Sequence, residues 1–279
     1  MCAASNDWPD GDYTSVPFRL YTDPDIFAAE MRRIFHGDGW SYAGLEAELP
    51  SVGDFKTTVI GTRSVVLARD DDGSIHAFEN QCAHRGVKFC RREFGNARFF
   101  VCPYHQWSYD RRGNLRGVPF INGVKGKGGM PEGFSRDDHG LPRLAVTQRN
   151  GVIFVSFDAA APPLREYLGA QNLHYFDRVF DGRSLRVLGY ARQLIPGNWK
   201  LMFENIKDPY HASLLHVFLV TFGLFRADQE SQVKMDDSGG HATIDFAARR
   251  AETLRAHARH GEPQRGLRTG RSTAARSGP

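Results

Sequence analysis

No stretch of the 279 residues approaches the ~20 consecutive apolar residues that a membrane span needs. The opening residues, Met1-Cys2-Ala3-Ala4-Ser5-Asn6-Asp7, lack the basic and apolar parts of a secretory leader. The expectation is a cytoplasmic protein without a membrane partner. Cysteine is scarce: the four positions 2, 82, 90 and 102 are too few and too irregular for a disulfide framework. A net basic charge is absent from the body of the chain. Residues 247–279 carry eight Arg and two Glu, a net +6, so the overall +4 leaves residues 1–246 at −2. With no basic stripe on the folded part, a nucleic-acid partner is excluded. The glycine-rich segment 123–131 lacks the Gly-Lys-Ser/Thr order of a phosphate loop and reads as a mobile surface loop. The acidic run Asp70-Asp71-Asp72 lacks the further oxygen ligands and terminal Glu of a calcium loop, and reads as a solvated turn.

Against these absences stand two ligand pairs. Cys82-Ala83-His84 and Cys102-Pro103-Tyr104-His105 are separated by seventeen residues. Mixed Cys and His at this spacing admits a tetrahedral zinc site, or a two-iron cluster in which two His replace two Cys on one iron. A zinc finger would carry its second pair on a helix. Here both pairs follow strand-like runs, 76–79 before Cys82 and 98–101 before Cys102, which favours two hairpin loops pinching one cofactor. Gly86 and Pro103 allow the backbone to turn tightly at the site. His76 lies in a strand pattern without a neighbouring ligand and reads as a polar strand residue.

The remaining punctuation gives an α+β chain. Residues 1–39 form a polar arm and a helix opened by Asp23-Pro24, with Phe27, Met31, Ile34 and Phe35 recurring on one face up to Gly37. Residues 40–158 read as an all-β domain, because the apolar runs 59–60, 65–68, 75–78 and 151–157 are separated by turn signals. A boundary at Ala159-Ala160-Ala161-Pro162-Pro163 precedes a helix over 164–180, a strand over 185–194 and a second helical stretch after Asn198. That stretch carries Asn205, Asp208, His211 and His216. Asp208 and His211, three apart, share a helix face. His211 and His216, five apart, point about 140° apart on a regular helix, so a shared ion requires the helix to break between them.

The cluster loops, Cys-x-His and Cys-x-x-His, resemble those of the Rieske family, and Val87 and Tyr104 stand where respiratory members carry a disulfide. Asn205-x2-Asp208-x-Tyr210-His211-x4-His216 resembles the mononuclear-iron motif of Rieske non-heme iron oxygenases, in the aromatic-ring-hydroxylating large (alpha) subunits. The resemblance covers residues 16 to about 245. It implies a Rieske domain joined to a helix-grip catalytic domain, here partial and spanning 164–246. Cys82, Cys102, His84 and His105 would hold a 2Fe-2S cluster, and His211 and His216 a mononuclear Fe(II). Asp208 would link that iron to the cluster of a neighbouring subunit, with Asn205 beside it. The implied partners are a ferredoxin and a reductase delivering electrons from NAD(P)H, a small (beta) subunit, and a trimeric core of large subunits. The implied reaction uses O2 to hydroxylate an aromatic carboxylate such as salicylate. An electron-transfer-only Rieske protein, or a catalytically inactive fragment, is the alternative.

One departure accompanies the match. The family's third iron ligand is an Asp well beyond the two His, yet only 63 residues follow His216. Residues 247–279 hold no Phe, Tyr, Trp, Val, Ile or Lys and are dominated by Arg, Ala and Gly. The expectation is a disordered tail, with the chain ending before the third ligand. Asp236, Asp237 and Asp245 are stand-in carboxylates without a recommending spacing.

Overall fold

The computed structural model describes residues 15–222, 230–236 and 239–246. The first fourteen residues, Asp237 and the tail 247–279 lie outside the described residues, so the arm, one stand-in carboxylate and the Arg-rich segment carry no structural account. By contact density the chain divides into two units, residues 1–207 with 234–243, and 208–233 with 244–279.

The first unit is organised by β3 (Arg63–Arg69), whose Val-Val-Leu-Ala run is buried on both faces. Successive side chains on a strand point to opposite sides. Accordingly, Val65 and Leu67 enter one core with Leu49, Ile60, Ile153 and Val155. Val66 and Ala68 enter another with Phe55, Phe78, Phe89, Phe100 and Tyr109. Burial of each large apolar side chain is worth about 1.5–3 kcal/mol, so this one strand anchors both layers. It pairs antiparallel with β2 (Asp54–Ile60) and β4 (Ile75–Glu79). The whole sheet runs β1-β10-β9-β4-β3-β2-β5, with β1 Ser41–Leu45, β5 Phe94–Asn96, β9 Arg143–Arg149 and β10 Val152–Ser156. A second sheet of three short strands, β6 (Phe100–Val101), β7 (Ser108–Tyr109) and β8 (Leu115–Gly117), covers the aromatic core.

Helices flank this β body. Asp23 caps α2 (Pro24–Glu30), its Oδ1 accepting from the Asp25 and Ile26 N–H groups, after a single turn α1 (Arg19–Thr22). The helix widens into a π-turn over Met31–Phe35, which rotates the expected apolar face: Met31 is buried while Ile34 stays exposed. α3 (Leu164–Val179) packs Leu164 and Phe176 against Val152 and Phe154 of β10, and bends at Gly169, whose φ is +70°. Asn198 opens α4 (Trp199–Lys207), its Oδ1 accepting from the Lys200 N–H.

Two sequence expectations need correcting. Residues 185–194 form no strand: Leu188 and Leu194 are over 90% exposed, and the segment joins none of the described sheets, so its apolar residues lack the hydrogen-bonding partner a strand requires. Segment 123–131 is the expected surface loop, and within it Gly123, Val124, Lys127 and Met130 each donate a backbone hydrogen bond to residues 120–127. The acidic turn is more than solvated, because Asp70 is only 8% exposed and serves as an internal anchor.

Candidate iron centres

The four residues of the first motif converge between the two sheets. Cys82 follows β4 and Cys102 follows β6, and both thiols are buried, at 3% and 1% exposure. Each loop is pinned from within. The Cys82 N–H donates to the Val87 carbonyl and the Gly86 N–H to the Cys82 carbonyl, with Gly86 at φ +72°, where a side chain would be strained. In the second loop the Cys102 N–H donates to Trp107 and the Gln106 N–H to Cys102; the left-handed residue there is Gln106, at φ +57°, while Pro103 only precedes it.

The imidazoles of His84 and His105 face each other with ring centres 4.6 Å apart, and His84 stacks on the buried Trp107 at 4.7 Å. Burial, then the nearby His105 and Arg85, pushes the His84 pKa down and keeps the ring neutral. Its Nδ1 is buried without a hydrogen-bond partner. An unpaired buried polar atom costs about 1–3 kcal/mol, whereas an imidazole nitrogen aimed at a metal loses nothing. Two buried thiols and two imidazoles 4.6 Å apart therefore fit a cluster with two Cys on one iron and two His on the other.

Tyr109 was not legible beforehand. Its hydroxyl lies 3.2 Å from the Cys82 Sγ and accepts from the Ala83 N–H at 3.1 Å, so the second sheet holds the first loop. Burial, followed by the thiol beside it, drives the Tyr109 pKa far up and keeps the phenol protonated. A second fastening lies behind it. Arg111, 9% exposed, donates through Nε to Asp70 Oδ1 at 3.2 Å and reaches Asp71 through Nη2. Arg112 pairs with Asp70 and Asp72. Burial raises the Asp70 pKa, but Arg112, the Asp71 N–H and Arg111 outweigh it and hold the carboxyl below its usual range. Asp70, Asp72 and His76 lie close enough to offer one ion three ligands, but both carboxylates are already satisfied by guanidinium groups.

The second motif is arranged differently. α5 (Ala212–Leu215) begins after His211 and ends at His216, whose φ −99° and ψ 72° leave the helical range before α6 (Val217–Thr221) resumes. This is the break the five-residue spacing requires, and it brings His211 Nε2 to 3.2 Å from His216 Nε2. Asp208 Oδ2 lies 3.1 Å from His211 Nδ1, while Asp208 Oδ1 accepts from the Tyr210 N–H. The Tyr210 N–H first, and His211 next, hold the Asp208 carboxyl below its usual range. A carboxylate on Nδ1 fixes the tautomer that leaves Nε2 free to ligate. Two converging Nε2 atoms, one so oriented, fit a pair of ligands to one metal ion. The surroundings are open: Asp208 is 47% exposed at its side chain, and Leu214, Leu215 and Phe218 are all more than 60% exposed. Asn205 belongs to the other unit, exposed near the end of α4. Among the stand-in carboxylates, Asp236 and Asp245 lie in or beside the hairpin of β11 (Ser231–Met235) and β12 (Ala242–Phe246).

Two cysteines and two histidines on facing β loops define a Rieske-type iron–sulfur domain, and residues 39–126 match the Rieske 2Fe-2S domain family. Residues 169–276 match the family of the ring hydroxylating alpha subunit (catalytic domain). The chain belongs to the Rieske ring-hydroxylating oxygenase large-subunit family, whose members carry a 2Fe-2S cluster and a mononuclear iron. It is 56% identical over 241 residues to the large oxygenase component of salicylate 5-hydroxylase from Ralstonia sp., covering 85% of this chain and 57% of that one. It is 44% identical to the anthranilate 1,2-dioxygenase large subunit of Burkholderia cepacia, covering 85% and 56%. The naphthalene 1,2-dioxygenase of Rhodococcus sp. bound to indole superposes with a TM-score of 0.67 at 35% identity, covering 76% of this chain and 48% of that one. The chain thus spans a little over half the length of these curated relatives.

Proposed function

We propose that the chain belongs to the large oxygenase component of a multicomponent system that uses O2 and electrons from NAD(P)H to hydroxylate an aromatic carboxylate of the salicylate type. Electrons would arrive through a reductase and ferredoxin, on an assembly of large subunits accompanied by small ones, in the cytoplasm. The observation that carries this reading is the Asp208–His211–His216 set on the same chain as the cluster loops, since an electron-transfer protein needs only the loops. When bound, the cluster passes single electrons and the mononuclear iron supplies reducing power to dioxygen. The residues have separable tasks. Cys82 and Cys102 would hold one iron as thiolates, while His84 and His105 would hold the other through their imidazoles. Trp107 and Tyr109 keep water away from the thiols. His211 and His216 would offer Nε2 to the mononuclear iron, and Asp208, which orients His211, would link that iron to the cluster of an adjacent subunit. Asn205 would lie beside this iron, and residues 164–246 would belong to the catalytic domain.

The identity to the salicylate 5-hydroxylase component supports a hydroxylated benzoate as substrate class. The test supplies reductase, ferredoxin, NADH and Fe(II) and measures NADH oxidation together with hydroxylated product from salicylate, anthranilate and terephthalate. Product formed in proportion to NADH supports the reading. NADH oxidation that leaves every acid unchanged, while reduced cluster passes its electron onward, would place the chain with electron-transfer proteins instead.

A further inference from the structure

The two cluster loops are closed by different means. The second, Cys102 to Trp107, springs from the paired strands β6 and β7, so the sheet itself holds its ends: Phe100 pairs with Tyr109 and Val101 with Ser108. The first has only one strand at its base. β4 ends at Glu79, and the next strand, β5, does not begin until Phe94. Residues 80–90, which carry both Cys82 and His84, therefore lack a ladder to close them.

Asn80 stands at that base, 3% exposed. Its Oδ1 accepts from the Cys90 N–H at 2.9 Å and its Nδ2 donates to the Cys90 carbonyl at 2.7 Å. A carboxamide that satisfies the donor and the acceptor of one residue reproduces the pair of bonds exchanged across an antiparallel ladder. The clamp is itself held, because the Asn80 N–H donates to the Ser64 carbonyl on β3 and Nδ2 lies 3.3 Å from the Ser64 hydroxyl. The element closing the loop is thus fixed to the central strand two residues before the first thiolate.

We propose that Asn80 is a positioning residue for the iron–sulfur cluster: its carboxamide, bridging both backbone groups of Cys90, closes the first ligand loop and sets where Cys82 and His84 meet the metal. This rests on the cluster reading of Cys82, His84, Cys102 and His105. Aspartate keeps the acceptor for the Cys90 N–H but turns a carboxylate oxygen toward the Cys90 carbonyl. Alanine removes both bonds and leaves two buried backbone groups unpaired, each a loss of order tenfold or more in the closed population.

The experiment compares the full chain with Asn80→Ala, Asn80→Asp and, as a control, Ser64→Ala, which leaves the Cys90 bridge intact. Circular dichroism checks the fold. The readouts are the EPR g-values of the dithionite-reduced protein, the rate at which an iron chelator bleaches the cluster, and hydrogen exchange of residues 81–90 in iron-free protein. We expect Asn80→Ala to lose iron about tenfold or more faster, with shifted g-values and faster exchange confined to the loop. Asn80→Asp should behave similarly and Ser64→Ala like wild type. Should alanine prevent folding, the aspartate variant decides: a folded Asn80→Asp protein with wild-type bleaching, g-values and loop exchange overturns the proposal. So does a folded Asn80→Ala protein that matches wild type. Wild-type protein giving no Rieske EPR signal after iron loading would instead remove the cluster reading, and this role with it.

Discussion

Each of the two candidate iron sites brings a pair of imidazoles together, but in opposite settings. At the Rieske site the thiols are nearly fully buried, the loops are closed by backbone bonds and by Asn80, and one imidazole nitrogen waits without a partner. At the histidine pair the rings also converge, but on a short interrupted helix with exposed leucines and an exposed orienting carboxylate. The difference teaches that convergence is local and burial is not. Five residues around a helix break suffice to bring two rings together, whereas burying a cluster takes two complete sheets, with Phe55, Phe78, Phe89 and Phe100 between them. The cluster site should therefore be the rigid one and the pair the adaptable one.

The largest expected effect breaks the rigid side outright. Cys82→Ser or Cys102→Ser should yield folded but colourless protein, because a serine oxygen is a poor substitute for a buried thiolate ligand; absorbance and iron content check this. Asp70→Ala comes next. It strips Arg111 of its buried partner and should destabilise the first unit by about 2–3 kcal/mol in denaturant unfolding, since bonds to charged groups are the stronger ones. The same network sets the acid limb. Asp70 has a folded pKa below its unfolded value of about 3.9, so its contribution is present above that value and fades as pH falls through the folded pKa. Glu48, which burial pushes up but the Lys56 ammonium, the Leu45 N–H and the Tyr190 hydroxyl bring below its usual range, acts with the same sign. Stability should fall below about pH 4, and Asp70→Asn should flatten part of that fall.

On the adaptable side, Asp208→Asn keeps the shape but removes the charge beside His211 Nδ1. Iron affinity at the histidine pair, measured by titration, should weaken about 10- to 100-fold while the cluster spectrum is unchanged. An equal change at both sites would contradict the separation. The smallest effect is Tyr109→Phe, which deletes the hydroxyl facing Cys82 and Ala83. The cluster should remain, with about 1 kcal/mol less stability and a lower reduction potential, because one hydrogen bond to a ligand sulfur is lost.

The ligands were readable in the sequence because metal chemistry restricts residue type and spacing together: Cys82, His84, Cys102 and His105 announce themselves, and the spacing of His211 and His216 already demanded a helix break. The strands of the first domain were readable because the short apolar runs 65–68 and 75–78 are set off by the turn signals at Gly61 and Gly73. What holds the site was not. Asn80, Tyr109, Asp70 and Arg111 are polar residues whose partners lie 10, 27 and 41 positions away, and nothing local distinguishes a buried carboxylate from its exposed neighbours Asp71 and Asp72. Residues 185–194 misled for the converse reason, since scattered apolar residues such as Leu185, Val187 and Leu188 suit a strand without saying that a partner strand is present.

The central claim is that the buried loops hold a cluster with mixed ligation. The most direct measurement is EPR with nitrogen hyperfine detection on the dithionite-reduced protein, with and without His84→Ala. The account predicts a Rieske-type signal carrying couplings from two imidazole nitrogens, together with acid-labile sulfide, and loss of that two-nitrogen signature in the variant. One zinc per chain, no sulfide and no signal after reduction would contradict it.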